Sequence, residues 1–139
     1  MTVIVDTSFF VALKSLRDAD HDRAVALFAD LLRGEMGGAH TTNFVFSEAV
    51  TAVLARARRH SAAVGVGDLI RLSRDGSPVF PMHHVTEEEL EEAWREFRRY
   101  RERELSMTDW TTVVVARHLE AEAVLSFDRG FDGVFTRLS

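Results

Sequence analysis

Hydrophobic positions along the chain alternate between short apolar runs that predict strands and longer segments with helical spacing. The β-branched run Thr2–Val5 predicts a first strand, and it ends at Asp6. No turn signal separates it from Thr7–Lys14, which we expect to form a helix. The apolar run Ala123–Phe127 predicts a second buried strand, and it ends at Asp128. Both strands therefore carry an aspartate at the carboxyl end.

Further helices are predicted where apolar residues recur every three or four positions and a capping residue precedes them. Asp20 is a suitable N-cap, and Gly34 is a suitable C-terminal stop. Thr86 followed by Glu89 has the pattern of a capping box. The sequence predicts five such helices: Asp20 to Gly34, Thr42 or Asn43 to about Arg59, Ser61 to Arg74, Thr86 to about Arg103, and Ser106 to Glu120.

Three weaker strands complete the predicted elements: Ala39–Thr42 after a glycine pair, Val79–Met82, which contains Pro81, and Val134–Leu138. Strands that alternate with helices predict right-handed βαβ units. The expected fold is therefore an α/β three-layer sandwich (α/β/α) with a central, mostly parallel sheet. Ligands of such sheets bind beyond the carboxyl ends of the strands, which is where Asp6 and Asp128 lie.

Length and composition point to one domain over residues 1–139. The 139 residues are 46% hydrophobic, which suffices for one substantial core, and no repeat or linker interrupts them. The absence of cysteine excludes disulfides, thiolate zinc sites and cysteine nucleophiles. No apolar stretch approaches the ~20 residues of a membrane span, and the start of the chain lacks a signal-peptide pattern. We expect a soluble, cytoplasmic protein without a membrane partner.

Three acidic residues occupy positions where an isolated charge is unfavourable, and Asp109 is considered with them. Asp6 and Asp128 end apolar strands, and Glu48 lies in a largely apolar helical segment. Asp109 lies in the first turn of a predicted helix, where the helix dipole alone favours an acid, and Asp6 alone can serve as a cap. Four carboxylates brought together repel one another unless protons or cations neutralise them. Oxygen ligands of this kind favour Mg²⁺ or Mn²⁺ over Zn²⁺.

These acids lie in segments that resemble the motifs of PIN-domain ribonucleases, in the order of that family and over nearly the whole chain. The segments are Val3–Ser8, Glu48 within its helix, Ser106–Asp109 with Ala116 beyond it, and Val124–Phe131. The chain length is similar to that of the toxin subunits of VapBC toxin–antitoxin pairs. One departure is Trp110, where many relatives have a small residue such as alanine.

The resemblance implies a metal-dependent endoribonuclease that hydrolyses RNA phosphodiester bonds at a Mg²⁺ or Mn²⁺ site. Asp6, Glu48, Asp109 and Asp128 would be its catalytic residues and metal ligands. Thr7 and Ser106 would be accessory hydroxyl residues, and Asp132 a possible further acid. The VapBC relationship also implies a homodimer and a cognate antitoxin that inhibits the enzyme.

The net charge of −5 is unusual for a protein that binds RNA. All of the 17 basic residues except Lys14 are arginine, however, and arginine pairs bidentately with phosphate. Arg56 and Arg59 follow Glu48 on its helix and are candidate RNA contacts. The arginines between residues 95 and 103 are instead interpreted as a solvent face with helical ion pairs. The expected pairs are Glu91 with Arg95, Glu96 with Arg99, and Arg98 with Glu102.

Several alternatives remain open at this point. The chain can be a PIN-fold binding or scaffold module without nuclease activity. An aspartyl phosphotransfer enzyme is a weaker alternative, because Ser8 stands where such enzymes have a second aspartate. All six histidines are interpreted as surface or turn residues: His21, His40, His60, His83, His84 and His118. Some apolar residues can belong to the core or to an interface: Phe9, Phe10, Leu13, Val53 and Leu54.

Overall fold

The computed structural model describes residues 1–139 and contains seven strands and six α-helices. The strands are β1 (Thr2–Val5), β2 (Gly38–Thr42), β3 (Ser73–Arg74), β4 (Ser77–Pro78), β5 (Met82–His83), β6 (Ala123–Leu125) and β7 (Arg137–Leu138). The helices are α1 (Thr7–Lys14), α2 (His21–Leu32), α3 (Asn43–Ala57), α4 (His60–Ile70), α5 (Glu87–Arg99) and α6 (Met107–His118). None of the helices has the length and apolar composition needed to cross a membrane.

A five-stranded sheet in the order β5-β2-β1-β6-β7 forms the centre of the molecule, and all of its strand pairs are parallel. β1 lies beside β6, with Val3 opposite Ala123 and Val5 opposite Leu125. Because the two strands run in the same direction and in register, the residues that follow them emerge at the same edge of the sheet. This pairing brings Asp6 next to the segment from Ser126 to Asp128.

Side chains of β1 alternate between two hydrophobic cores, as expected for a strand buried on both faces. Val3 and Val5 pack with apolar residues of α1, α2, α3 and α4. Ile4 packs on the other face with the apolar residues of α6 and with Ala93 of α5. The predicted three-layer α/β/α fold is confirmed. Phe9 and Phe10 are fully buried and Leu13 and Val53 pack against the same core, whereas Leu54 is 45% exposed.

The segment after α4 differs from the prediction. The helix predicted to reach Arg74 ends at Ile70, and a small antiparallel hairpin of β3 and β4 follows. Its turn residues Asp75 and Gly76 both have positive φ, which suits the tight turn of a two-residue hairpin. The predicted strand Val79–Met82 is wrong, because β5 begins only at Met82. Val79 and Phe80 are apolar because they pack into the core, where Phe80 contacts the Phe10 ring edge to face.

Two elements near the C-terminus are shorter than predicted. α5 ends at Arg99 rather than near Arg103. β7 comprises only Arg137–Leu138, and Val134 and Phe135 pack against the second core instead of pairing with β6. A short 3₁₀ turn over Arg129–Phe131 connects β6 to this end of the chain. Apolar character alone does not distinguish burial in a loop from burial in a strand.

A buried carboxylate joins α5 to α6. Glu89 is 3% exposed; His83 Nε2 lies 2.8 Å from its Oε1, and His118 Nδ1 lies 2.9 Å from its Oε2. His118 Nε2 lies 2.9 Å from Glu92 on the next turn of α5. The interpretation of the histidines as surface or turn residues is therefore wrong for His83, whose side chain is 24% exposed, whereas His118 is exposed at the surface as interpreted. Both bind a buried acid.

The ion pairs predicted within α5 do not form. Glu96 instead accepts a hydrogen bond from Arg117 of α6 at 3.1 Å, and Glu92 contacts Arg117 as well as His118. The acids on this side of α5 lie within reach of basic partners on α6, which replace the predicted partners on their own helix. The arginines of α5 are consequently left without carboxylate partners.

Candidate active site at the carboxyl edge of the sheet

Asp6 is fixed by its position between β1 and α1. Its backbone N–H donates to Leu125 O at 3.0 Å, which continues the parallel ladder by one residue. Its Oδ2 accepts a hydrogen bond from the Ser8 backbone N–H at 3.4 Å and thereby caps α1. The side chain is almost fully buried, with 2% exposure. Asp6 therefore has the capping role expected for an acid before a helix, but only one of its oxygens performs it.

Asp109 and Asp128 also combine a cap with a free oxygen. Asp109 Oδ2 accepts from the Ser106 backbone N–H at 2.8 Å, and the Asp109 N–H donates to Ser106 Oγ at 3.1 Å, which forms a capping box at the start of α6. Asp128 Oδ1 accepts from the Gly130 N–H at 2.8 Å and caps the 3₁₀ turn. Each of these carboxylates can therefore cap a helix with one oxygen and bind a ligand with the other, because the second oxygen makes no hydrogen bond to the protein.

One cleft of about 350 Å³ receives all four predicted carboxylates, Asp6, Glu48, Asp109 and Asp128. The predicted accessory residues Thr7 and Ser106 also line it, and so does Arg56. Glu48 reaches the cleft from α3, Asp109 from α6, and the other two acids from the ends of β1 and β6. Residues that are far apart in sequence therefore meet at the carboxyl edge of the sheet, as the fold class predicts.

The charges in the cleft repel one another. Burial raises the pKa of Asp6, against the hydrogen bonds from Ser126 and Ser8 that lower it. Burial also raises the pKa of Asp109 to about 7, and the nearby charges of Asp6, Glu48 and Asp128 add to this rise. The Ser106 backbone N–H acts in the opposite direction. Because the carboxylates are close enough to perturb one another, the site favours a proton or a cation in their midst.

The donor set fits a hard divalent cation. Asp6 Oδ1 is buried and has no hydrogen-bond partner, which is a costly state for a carboxylate oxygen unless something neutralises it. No three of the acidic side chains are positioned to ligate one ion directly. An ion in this cleft would therefore retain part of its water shell, as Mg²⁺ usually does when one or two carboxylates bind it.

Two serines that the sequence did not single out as site residues hold the Asp6 carboxylate in place. Ser126 Oγ donates to Asp6 Oδ2 at 2.7 Å, and Ser8 Oγ lies 3.1 Å from the same oxygen. Ser126 Oγ accepts from the Asp128 N–H at 3.0 Å, and Ser8 Oγ accepts from the Phe127 N–H at 2.9 Å. The two hydroxyls therefore couple the ends of β1 and β6, while Asp6 Oδ1 keeps no hydrogen-bond partner.

The cleft lining differs from the prediction at several residues. The structure does not bring Asp132 or Arg59 into the cleft lining. Asp132 is 55% exposed on its side chain, and Arg137 holds it through two hydrogen bonds of 2.8 and 3.1 Å, which lower its pKa. Asp18 and Asp20 line the cleft, although the sequence suggested only a capping role for Asp20. The only sequence feature that could have indicated their place in the cleft is the cluster of acidic residues between α1 and α2.

Comparison with known proteins identifies relatives over the whole molecule. Residues 3–134 match the model of the PIN domain family. The chain is 37% identical over 129 residues to the 23S rRNA-specific endonuclease VapC20 of Mycobacterium tuberculosis, a match that covers 93% of this chain and 91% of that protein. It superimposes on the crystal structure of Mycobacterium tuberculosis VapC20, described as a sarcin-ricin loop cleaving toxin, with a TM-score of 0.82, 32% identity and 96% of each chain covered.

A more distant solved structure has the same fold. FitAcB from Neisseria gonorrhoeae aligns with a TM-score of 0.65 and 18% identity, covering all of this chain and 97% of the other. Because that identity is low, this likeness bears on the fold alone. The match to the family model, the shared parallel sheet and the full-length similarity to a solved toxin show that the chain belongs to the PIN-domain family and is a homologue of the VapC-type toxins.

Proposed function

We propose that this protein is a metal-dependent endoribonuclease that hydrolyses RNA at Asp6, Glu48, Asp109 and Asp128, and that it acts as the toxin of a toxin–antitoxin pair. The observation that carries the proposal is the convergence of these four carboxylates in one cleft, where burial and the charges of the other three raise the pKa of Asp109 to about 7. By similarity to the 23S rRNA-specific endonuclease, we propose 23S rRNA as the substrate. The partners are the RNA, a cognate antitoxin and a second copy of the chain.

A bound Mg²⁺ or Mn²⁺ would supply a water of lowered pKa and offset the charge that develops on the scissile phosphate. The chain's own residues prepare the site for this chemistry. Asp6 Oδ1, the uncapped oxygens of Asp109 and Asp128, and Glu48 from α3 would hold the partly hydrated ion, some of them through its bound waters. Arg56 stands in the wall of the same cleft, where its guanidinium can bind a phosphate oxygen of the substrate.

The nuclease proposal is tested by incubating purified protein with 23S rRNA in buffer that contains Mg²⁺, Mn²⁺ or excess chelator. Cleavage fragments are expected with either ion and none with chelator, because the carboxylates cannot activate water without a cation. The Asp109→Asn variant, purified in parallel, controls for contaminating nuclease. Undiminished cleavage in excess chelator would contradict the metal mechanism. If 23S rRNA stays intact while another RNA is cleaved, the proposed substrate is wrong but the proposed nuclease activity is retained.

The Ser126→Ala variant tests the role of the hydroxyl that orients Asp6. Removing this group should weaken the binding of Mn²⁺ by about tenfold to a hundredfold, which is typical for partners that position metal ligands. Titration calorimetry with Mn²⁺ measures the effect without reference to activity. Ser8→Ala is the matched control, since its contact with Asp6 Oδ2 is longer, at 3.1 Å against 2.7 Å, and its effect should be smaller. Equal Mn²⁺ affinity in all three proteins would assign the serines a purely structural role.

A further inference from the structure

The outer side of α5 exposes three large apolar side chains. Leu90, Trp94 and Phe97 are 37%, 46% and 39% exposed and follow one another at helical neighbour spacing. The Trp94 and Phe97 rings stack on each other, with centroids 5.7 Å apart and an angle of 14° between their planes. Neither ring belongs to one of the two hydrophobic cores. Exposed aromatic rings of this kind mark a surface that binds a partner.

Basic side chains continue the stripe toward the end of the helix. Arg98 lies four residues after Trp94 on α5, and Arg101 lies two residues beyond the end of the helix at Arg99. Neither arginine forms an ion pair, and Glu89, Glu92 and Glu96 of α5 bind His118 and Arg117 of α6 instead. Their guanidinium donors are therefore free for an anionic partner. We call the four residues Trp94, Phe97, Arg98 and Arg101 the α5 surface.

The basic end of α5 lies at the same end of α6 as the cleft. The two helices are antiparallel: Glu89 near the start of α5 binds His118 at the end of α6, while Tyr100 just after α5 stacks on Trp110 with centroids 5.6 Å apart. Trp110 is adjacent in sequence to Asp109, which faces the cleft. The end of α5 that carries Arg98 therefore lies near the start of α6, which carries Asp109.

We propose that the α5 surface binds an unpaired stretch of RNA that flanks the cleavage site, with bases stacked on Trp94 and Phe97 and phosphates on Arg98 and Arg101. This inference rests on the proposed ribonuclease function. Aromatic rings stack with any base, and arginines pair with the phosphates on either side, which is how proteins bind single-stranded nucleic acid. The net charge of −5 does not exclude this binding, since Arg98, Arg99, Arg101 and Arg103 outnumber Glu102 and Glu104 in the segment at the end of α5.

A second copy of the chain fits this surface less well. Each partner of a stable dimer buries about 800 Å². Three side chains that are each less than half exposed provide only a fraction of that area. Arginines without carboxylate partners also favour a polyanion over a neutral apolar partner.

The proposal is tested by titrating the protein with a short, unstructured oligouridine in excess chelator, so that no cleavage occurs. Trp94 is exposed and Trp110 is 2% exposed, so quenching of tryptophan fluorescence by stacked bases reports on Trp94. We expect quenching in the parent, and about tenfold weaker RNA binding, followed by fluorescence anisotropy of labelled RNA, for Trp94→Ala. Arg98→Ala combined with Arg101→Ala should weaken binding and also reduce its dependence on salt concentration.

The matched control is Leu72→Ala combined with Arg74→Ala, which removes an exposed apolar and a basic side chain from the segment after α4. This control should bind RNA as the parent does. Equal RNA affinity in the parent and both α5 variants would overturn the proposal. So would a change from dimer to monomer in the α5 variants with RNA affinity unaltered, which would assign the surface to self-association. A parent that binds oligouridine through Trp94 but cleaves no RNA with Mg²⁺ would overturn the nuclease function and leave this surface standing.

Discussion

The Asp109→Asn variant is expected to retain less than about one hundredth of the parent's RNA cleavage and, without metal, to be at least as stable as the parent. The substitution removes a charge that Asp6, Glu48 and Asp128 oppose, as the raised pKa of Asp109 shows. It keeps the shape of the side chain and an oxygen that can accept the Ser106 N–H, so the capping box of α6 survives. Activity and metal-free stability should therefore change in opposite directions.

Melting temperatures with and without Mg²⁺, measured beside RNA cleavage, test this expectation. Mg²⁺ should raise the melting temperature of the parent, since a ligand that binds only the folded state stabilises it, and should raise that of Asp109→Asn much less. Asp109→Ala is the informative control, because it also loses the capping oxygen and should cost about 1 kcal/mol relative to Asn. Retained cleavage with an unchanged Mg²⁺ response would remove Asp109 from the active site.

The same variant should change the pH dependence of metal-free stability. Asp109 has a pKa of about 7 in the folded protein and an ordinary value of 3.8. Between these values the unfolded chain has lost a proton that the folded protein still holds, so Asp109 makes the parent less stable as pH rises from about 4 to about 7. Urea unfolding of both proteins across that range should show their difference in unfolding free energy growing toward neutral pH. A constant difference would contradict the pKa.

The Glu89→Ala variant should lose about 1–3 kcal/mol of unfolding free energy, because it removes a buried acceptor from three hydrogen-bonding groups. Glu89 Oε1 accepts from the Thr86 N–H at 2.9 Å and contacts His83, while Oε2 contacts His118. All three groups lose their acceptor when the carboxylate is deleted. Urea unfolding at neutral pH measures this loss of stability. RNA cleavage by the folded variant should be unchanged, because Glu89 does not line the cleft.

Glu89→Gln is the control for charge, since its amide oxygen can still accept the Thr86 N–H. Burial by itself raises the pKa of Glu89, but the hydrogen bonds from Thr86, His83 and His118 outweigh it and lower the pKa from its ordinary 4.5. The ionised form therefore stabilises the fold above about pH 4.5, and this contribution disappears as pH falls through the folded pKa. The parent should approach Glu89→Gln in stability on acidification. Parallel pH profiles for the two proteins would argue against the ionic role.

Local signals in the sequence determined much of the fold. Examples are the apolar runs that end at Asp6 and Asp128, the cap at Thr42 and the capping box at Thr86. Each of these signals depends only on residues that are close in sequence, so it can be recognised without the tertiary structure. The same holds for the three-layer class, which follows from alternating strands and helices. The resemblance to PIN-domain motifs then selected four acids that the structure places in one cleft.

Only the tertiary structure decided which long-range partners each side chain meets. The strand order β5-β2-β1-β6-β7 brings Ser126 next to Asp6. Arg137 binds Asp132, which was a possible further acid of the site, outside the cleft. Antiparallel packing of α5 on α6 gives Glu96 a partner on α6 in place of Arg99, and the end of α5 at Arg99 separates Arg98 from its predicted partner Glu102. A helical ion pair at the surface contributes only a few tenths of a kcal/mol, so a competing contact across an interface decides the outcome, and that competition is invisible until the helices are packed.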